Sequence, residues 1–71
     1  MENIVIETEY IKLQDLLKFA SLVSTGGEAK LSVAAGEVTV NGQVCLQRGR
    51  KIRPGDAVGF RGRELTVSHA S

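Results

Sequence analysis

The sequence predicts an α+β domain: two adjacent helices packed on a small, mostly antiparallel, curled sheet, in the order β-α-α-β-β-β-β. Three observations lead there. Between Leu13 and Val33 the apolar residues recur with helical spacing. From Val38 onward the pattern changes to an alternation of period two. Turns at Asn41-Gly42, Pro54-Gly55-Asp56 and Gly62 then cut the second half into short strands.

The first strand is expected in "NIVIET", where Ile4 and Ile6 alternate with Asn3, Val5 and Glu7. The first helix is expected in "IKLQDLLKFASLV". Leu13, Leu16, Leu17 and Ala20 form one apolar stripe there, and Lys12, Asp15 and Lys18 fall largely outside it. "STGGEAKLSVAAGEV" reads as the second helix, with one or two residues between the two. Thr25 caps its start, Glu28 completes a capping box, and Gly36 suits the left-handed residue past its end. Ala29 and Val33 face the core, and Ala34 and Ala35 favour close packing. Asn41-Gly42 is a strong hairpin signal because both residues tolerate positive φ. A strand ending near Phe60 follows the second turn, and "ELTVSH" closes the sheet with Leu65 and Val67 on one face. Phe19 and Phe60 are assigned to the core, and Cys45 to a buried position within a strand.

A chain of 71 residues suits one domain, residues 1–71. A domain this size buries only about 60% of the surface that its unfolded form exposes, which disfavours a deep enzyme pocket. Apolar content is 42% but aromatic content only 4%, so Leu, Val, Ile and Ala must fill the core. One cysteine permits no internal disulfide and no cysteine-based zinc site. No run suggests a signal peptide or a membrane span, and a cytoplasmic location is expected. His69 is the only histidine, nothing orients it as a base, and no acids show paired spacing. Neither catalysis, a cofactor nor a metal is expected.

The net charge of +1 hides a segregation. Residues 1–37 hold three bases and six acids, whereas residues 38–63 hold six bases and one acid. Arg48, Arg50, Lys51 and Arg53 fall within six positions after the hairpin, on a connection rather than in a regular element. Such clustering builds a local positive field without a high overall charge, and guanidinium groups match phosphate oxygens. The backbone N–H groups of Thr25, Gly26 and Gly27, at a helix start, are a second candidate for phosphate, with Lys30 one turn further on. The bland readings are a solvated loop and a plain helix cap.

From Lys12 to Val58 the chain resembles the S-four-type RNA-binding domain, the αL motif. The resemblance rests on "KLQDLL", "TGGEAKLSVAAGEVTVNG" and "KIRPGDAV", in that order and spacing. It implies a non-catalytic module, akin to the stand-alone bacterial members, that contacts structured RNA of the ribosomal or transfer type. Lys12, Lys30, Arg48, Arg50, Lys51 and Arg53 stand at the positions that would carry the contact. The chain departs from the family pattern at Gln14, at Thr25-Gly26, and at Leu31, Ala34 and Ala35, where polar or basic residues are usual. With few aromatics, backbone and shape contacts are favoured over base stacking. A monomer is expected. The alternatives are a protein-binding module using the basic loop, or a β-grasp sulfur-carrier-like protein without its Gly-Gly tail.

Overall fold

The computed structural model describes residues 2–70. It contains β1 (Glu2–Ile6), β2 (Ile11–Lys12), α1 (Leu13–Phe19), α2 (Gly26–Ala34), β3 (Val38–Val40), β4 (Gln43–Val44), β5 (Lys51–Ile52), β6 (Ala57–Phe60) and β7 (Arg63–His69). Five strands form one sheet in the order β1-β7-β6-β3-β4, and β2 pairs with β5 in a separate ribbon. Among the described residues only β1 and β7 run parallel, and the other pairings are antiparallel.

Period two sorts the main sheet into two faces. Ile6, Val38, Val40, Val58, Phe60, Leu65 and Val67 are buried in one cluster with Leu13, Leu16 and Leu17 of α1 and Ala29 and Val33 of α2. The opposite face mixes small and polar residues with the exposed Val5 and Val44. There Ser68 Oγ lies 2.7 Å from Asn3 Oδ1 and Thr66 Oγ1 lies 3.1 Å from it. Thr39 stands opposite Gly59 in register, and a Cβ at Gly59 would sit 2.6 Å from Thr39 Oγ1. A side chain at 59 would force Thr39 to turn.

Both hairpins obey their turn chemistry. Asn41 and Gly42 have φ of 52° and 85°, and Arg61 and Gly62 have 49° and 81°. Positive φ at both central residues matches the right-handed twist of the flanking strands.

The helices depart from expectation in four ways. First, α1 begins at Leu13, because Ile11 and Lys12 pair with Ile52 and Lys51. Second, α1 ends at Phe19, so six residues, Ala20 to Thr25, separate it from α2 rather than one or two. Ser21 takes a left-handed φ of 60°, and the N–H groups of Leu22 and Val23 turn back onto the Leu17 carbonyl. That is how a helix closes its last turn, and it leaves Val23 buried in the core. Third, Phe19 is 63% exposed because it stands off the Leu13–Leu16–Leu17 stripe. Fourth, Ala34 and Ala35 are exposed, and Ser32 takes the buried position beside Val33. Cys45 is buried as expected, but just beyond β4 rather than within a strand.

Candidate nucleic-acid interface

The chain from Cys45 to Arg53 is tied to the start of α1 by its backbone. Lys12 precedes the helix and supplies no side-chain cap. Instead the N–H of Leu13 donates to the Arg50 carbonyl at 2.8 Å, and that of Gln14 to the Arg48 carbonyl at 2.9 Å. Two of the donors that every helix start leaves unsatisfied are thereby met by the basic loop. Arg50 N–H donates to Gln47 O at 3.1 Å and tightens the bend between them. Ile52 is fully buried, whereas Lys51 and Arg53 on either side of it are exposed. Contrary to expectation, the bases therefore do not all hang on an irregular connection: Lys51 is part of β5, and its strand alternation sends it to solvent while Ile52 enters the core.

Pairing β2 with β5 sets Lys12 directly opposite Lys51. Like charges facing each other across strands are destabilising. Lys51 also lies over the Tyr10 ring, with Nζ 4.9 Å from its centroid. Lys30 and Arg48 line one groove together with Val33, Ala34, Leu46 and Gln47. Two other bases of the positive segment are paired elsewhere. Arg61 meets Glu37 at 2.7 Å, and Arg63 meets both carboxylate oxygens of Glu2.

At the second candidate site, Thr25 Oγ1 accepts the Glu28 N–H at 3.1 Å. The Glu28 carboxylate in turn accepts the Ser24 N–H at 3.4 Å. This is the expected capping box, displaced by one residue on its return arm, and it stands a carboxylate at the helix end beside Gly26 and Gly27.

Sequence reasoning missed the clip that holds the two turns together. Asn41 Nδ2 donates to Asp56 Oδ1 at 3.1 Å, and Asn41 Oδ1 accepts the Ala57 N–H at 2.9 Å. Asp56 Oδ2 accepts the Arg53 N–H at 2.9 Å, across the turn in which Gly55 takes a φ of 98°. "VNG" and "PGDA" are thus two halves of one hydrogen-bonded unit, and its far end is Arg53. The Arg53 N–H holds the Asp56 carboxyl below its ordinary value of 3.8, against an opposing effect of partial burial; the Asn41 amide and the charges of Arg50 and Arg53 lower it further. A lowered folded value means that the carboxylate's stabilisation is complete above the ordinary value and fades as pH falls through the folded one. Asp56→Ala is expected to cost about 1 kcal/mol at pH 7. The gap between wild type and variant should narrow in urea melts taken below pH 3.8.

The fold is shared with known proteins. The family model described as "S4 domain" matches residues 4–68. The chain is 42% identical over 57 residues to RlbA of Bacillus subtilis (strain 168), named a probable ribosome maturation protein, with 80% of each chain covered. It is 36% identical over 58 residues to YbcJ of Escherichia coli (strain K12), covering 82% of this chain and 83% of that one. The solution structure of E. coli YbcJ, described as revealing an αL motif involved in RNA-binding, superposes with a TM-score of 0.73 at 32% identity, over 96% of this chain and 87% of that one. With the family model spanning nearly all of the sequence and the αL fold matched by structure, this chain belongs to the S4 domain family.

Proposed function

We propose that this protein is a non-catalytic RNA-binding domain that grips the phosphate backbone of structured RNA, ribosomal or transfer, through Lys12, Lys30, Arg48, Arg50, Lys51 and Arg53. The observation that carries the reading is the facing pair Lys12 and Lys51, beside Arg48 and Arg50 of the loop before β5 and Arg53 just after it. A free protein gains nothing from opposing those charges, whereas a bound phosphate relieves the repulsion. The choice of RNA is supported by family membership and by the αL motif of the YbcJ structure. Contact by the backbone of Thr25, Gly26 and Gly27 is the weaker part of the proposal, because the Glu28 carboxylate stands at the same helix end. Cys45 is only 7% exposed and its Sγ lies 3.6 Å from the Gln47 carbonyl, a packed thiol rather than an accessible nucleophile. No helix among the described residues is long and apolar enough to cross a membrane. We place the protein in the cytoplasm as a monomer, residues 1–71 forming one RNA-binding unit with its motif at 12–58.

The test is fluorescence-anisotropy binding to an RNA hairpin, a single-stranded RNA and a DNA duplex at two salt concentrations. The hairpin should bind best, and all binding should weaken steeply with salt. Equal binding to all three, or none at low salt, would contradict the reading. A second expected result separates function from stability. Lys12→Glu should raise the free protein's stability by about 0.2–1 kcal/mol, since it turns a like-charge pair into an opposite one, while RNA affinity falls. Thermal melts with and without the hairpin check both halves.

A further inference from the structure

We propose that the groove between α2 and the loop joining β4 to β5 receives one unpaired base of the RNA. The inference rests on the RNA-binding reading above and adds to it: a face that grips phosphates also has a seat for a base.

The groove has two walls. Lys30, Val33 and Ala34 come from α2, and Leu46, Gln47 and Arg48 from the loop. Its apolar lining is open to solvent at Leu46, which is 64% exposed, and at Ala34. Among the described residues its two charges are both positive, and no carboxylate lines it. Three other surface clefts each include a glutamate: Glu2 and Glu64, Glu7, and Glu37 and Glu64. The loop wall is held in place, because the Arg48 carbonyl accepts the Gln14 N–H and Gln47 accepts the Arg50 N–H.

An apolar seat rimmed by cations suits a flat, weakly hydrated ring carried on an anionic chain. Packing the ring on Leu46 and Ala34 removes apolar surface from water. The phosphates on either side of it then meet Lys30 and Arg48. The Gln47 amide offers both a donor and an acceptor for a base edge. Bases in a continuous duplex are stacked and cannot present a face, so the occupant must come from a bulge or a loop. The groove's volume of about 340 Å³ is enough to admit a single ring system. A helical protein partner would also cover Leu31, which is 72% exposed on α2 and does not line the groove.

The test compares three RNA hairpins: fully paired, with one bulged nucleotide, and with an abasic linker at the bulge. The wild-type protein should bind the bulged hairpin about tenfold more tightly than the abasic one, the order expected when roughly 50 Å² of apolar surface leaves water. Leu46→Ser removes the apolar lining without changing charge, and Ala34→Phe fills the groove from the helix side. Both sites are exposed, so the fold should tolerate both changes. Each should equalise the bulged and abasic hairpins and leave fully paired binding within about twofold, and Leu31→Ser should keep the preference. Equal binding of bulged and abasic hairpins by wild type would overturn the inference while leaving phosphate binding intact. So would a preference that survives both groove variants. If the preference falls with Leu31→Ser as well, the surface is a broader one suited to a protein, and the base seat is refuted. Failure of every hairpin to bind would overturn the RNA-binding reading itself and the base seat with it.

Discussion

Replacing Arg48, Arg50, Lys51 and Arg53 together by alanine is expected to weaken binding to a structured RNA about a hundredfold or more at moderate salt. The plot of log affinity against log salt should flatten by about three to four units, close to one for each phosphate contact removed. The fold should survive. Arg48 and Arg50 serve the start of α1 through their carbonyls, which alanine retains. Arg53 serves the Asp56 clip through its N–H, which alanine also retains. The losses are the contact of Lys51 with Tyr10, worth about 0.5–1 kcal/mol at an exposed site, and the favourable charges of Arg50 and Arg53 near the Asp56 carboxylate. Anisotropy across a salt series, beside circular dichroism of the same samples, checks both parts. An unchanged slope would remove the loop from the interface.

Ile52→Ala is the counterpart, with the charges kept and the anchor lost. Ile52 is fully buried, and β5 hangs on it. Truncating such a side chain costs about 2–5 kcal/mol, a large share of the roughly 5–15 kcal/mol that a domain has in total. RNA affinity should fall too, although no cation is removed, because Lys51 and the Arg50 carbonyl are positioned by the same two-residue ribbon. Ile52→Val should cost about 0.5–1.5 kcal/mol and leave binding nearly intact. Urea denaturation of the three proteins, followed by hairpin titration, distinguishes these outcomes. Wild-type stability in Ile52→Ala would show that the loop is not anchored through the core.

Much of the fold was legible because it rests on repeating signals. Leu13, Leu16 and Leu17 mark a helix face, Asn41-Gly42 marks a turn, and Leu65 and Val67 mark a strand face. The β2–β5 ribbon was not legible, since strands of two residues carry no period. Phe19 was misassigned because its residue type suggested burial while its helical position, off the leucine stripe, did not. The end of α1 was missed because Ser21 takes a left-handed φ without the glycine that usually announces one.

At the candidate site, the charge cluster stood out in the sequence, but its fixing did not. The carbonyls of Arg48 and Arg50 cap α1, and a carbonyl leaves no mark on residue identity. One clue was available: Lys12 stands where a helix start usually carries Ser, Thr, Asp or Asn, so the cap had to come from elsewhere in the chain. The pairing of Asn41 with Asp56 was hidden for a different reason. Each residue was already accounted for by its own turn, and 15 positions separate them.

The central claim is that one face of the domain, built from β2, β5, the loop before β5 and the exposed side of α2, carries the RNA. Amide chemical-shift mapping of the labelled protein against an unlabelled RNA hairpin tests it most directly. The account predicts that the perturbed amides cluster at Lys12 to Gln14, Lys30 and Leu46 to Arg53. The amides around the two ion pairs, Glu2 with Arg63 and Glu37 with Arg61, should stay quiet. Perturbations concentrated at those pairs, with the Leu46–Arg53 amides unmoved, would contradict it.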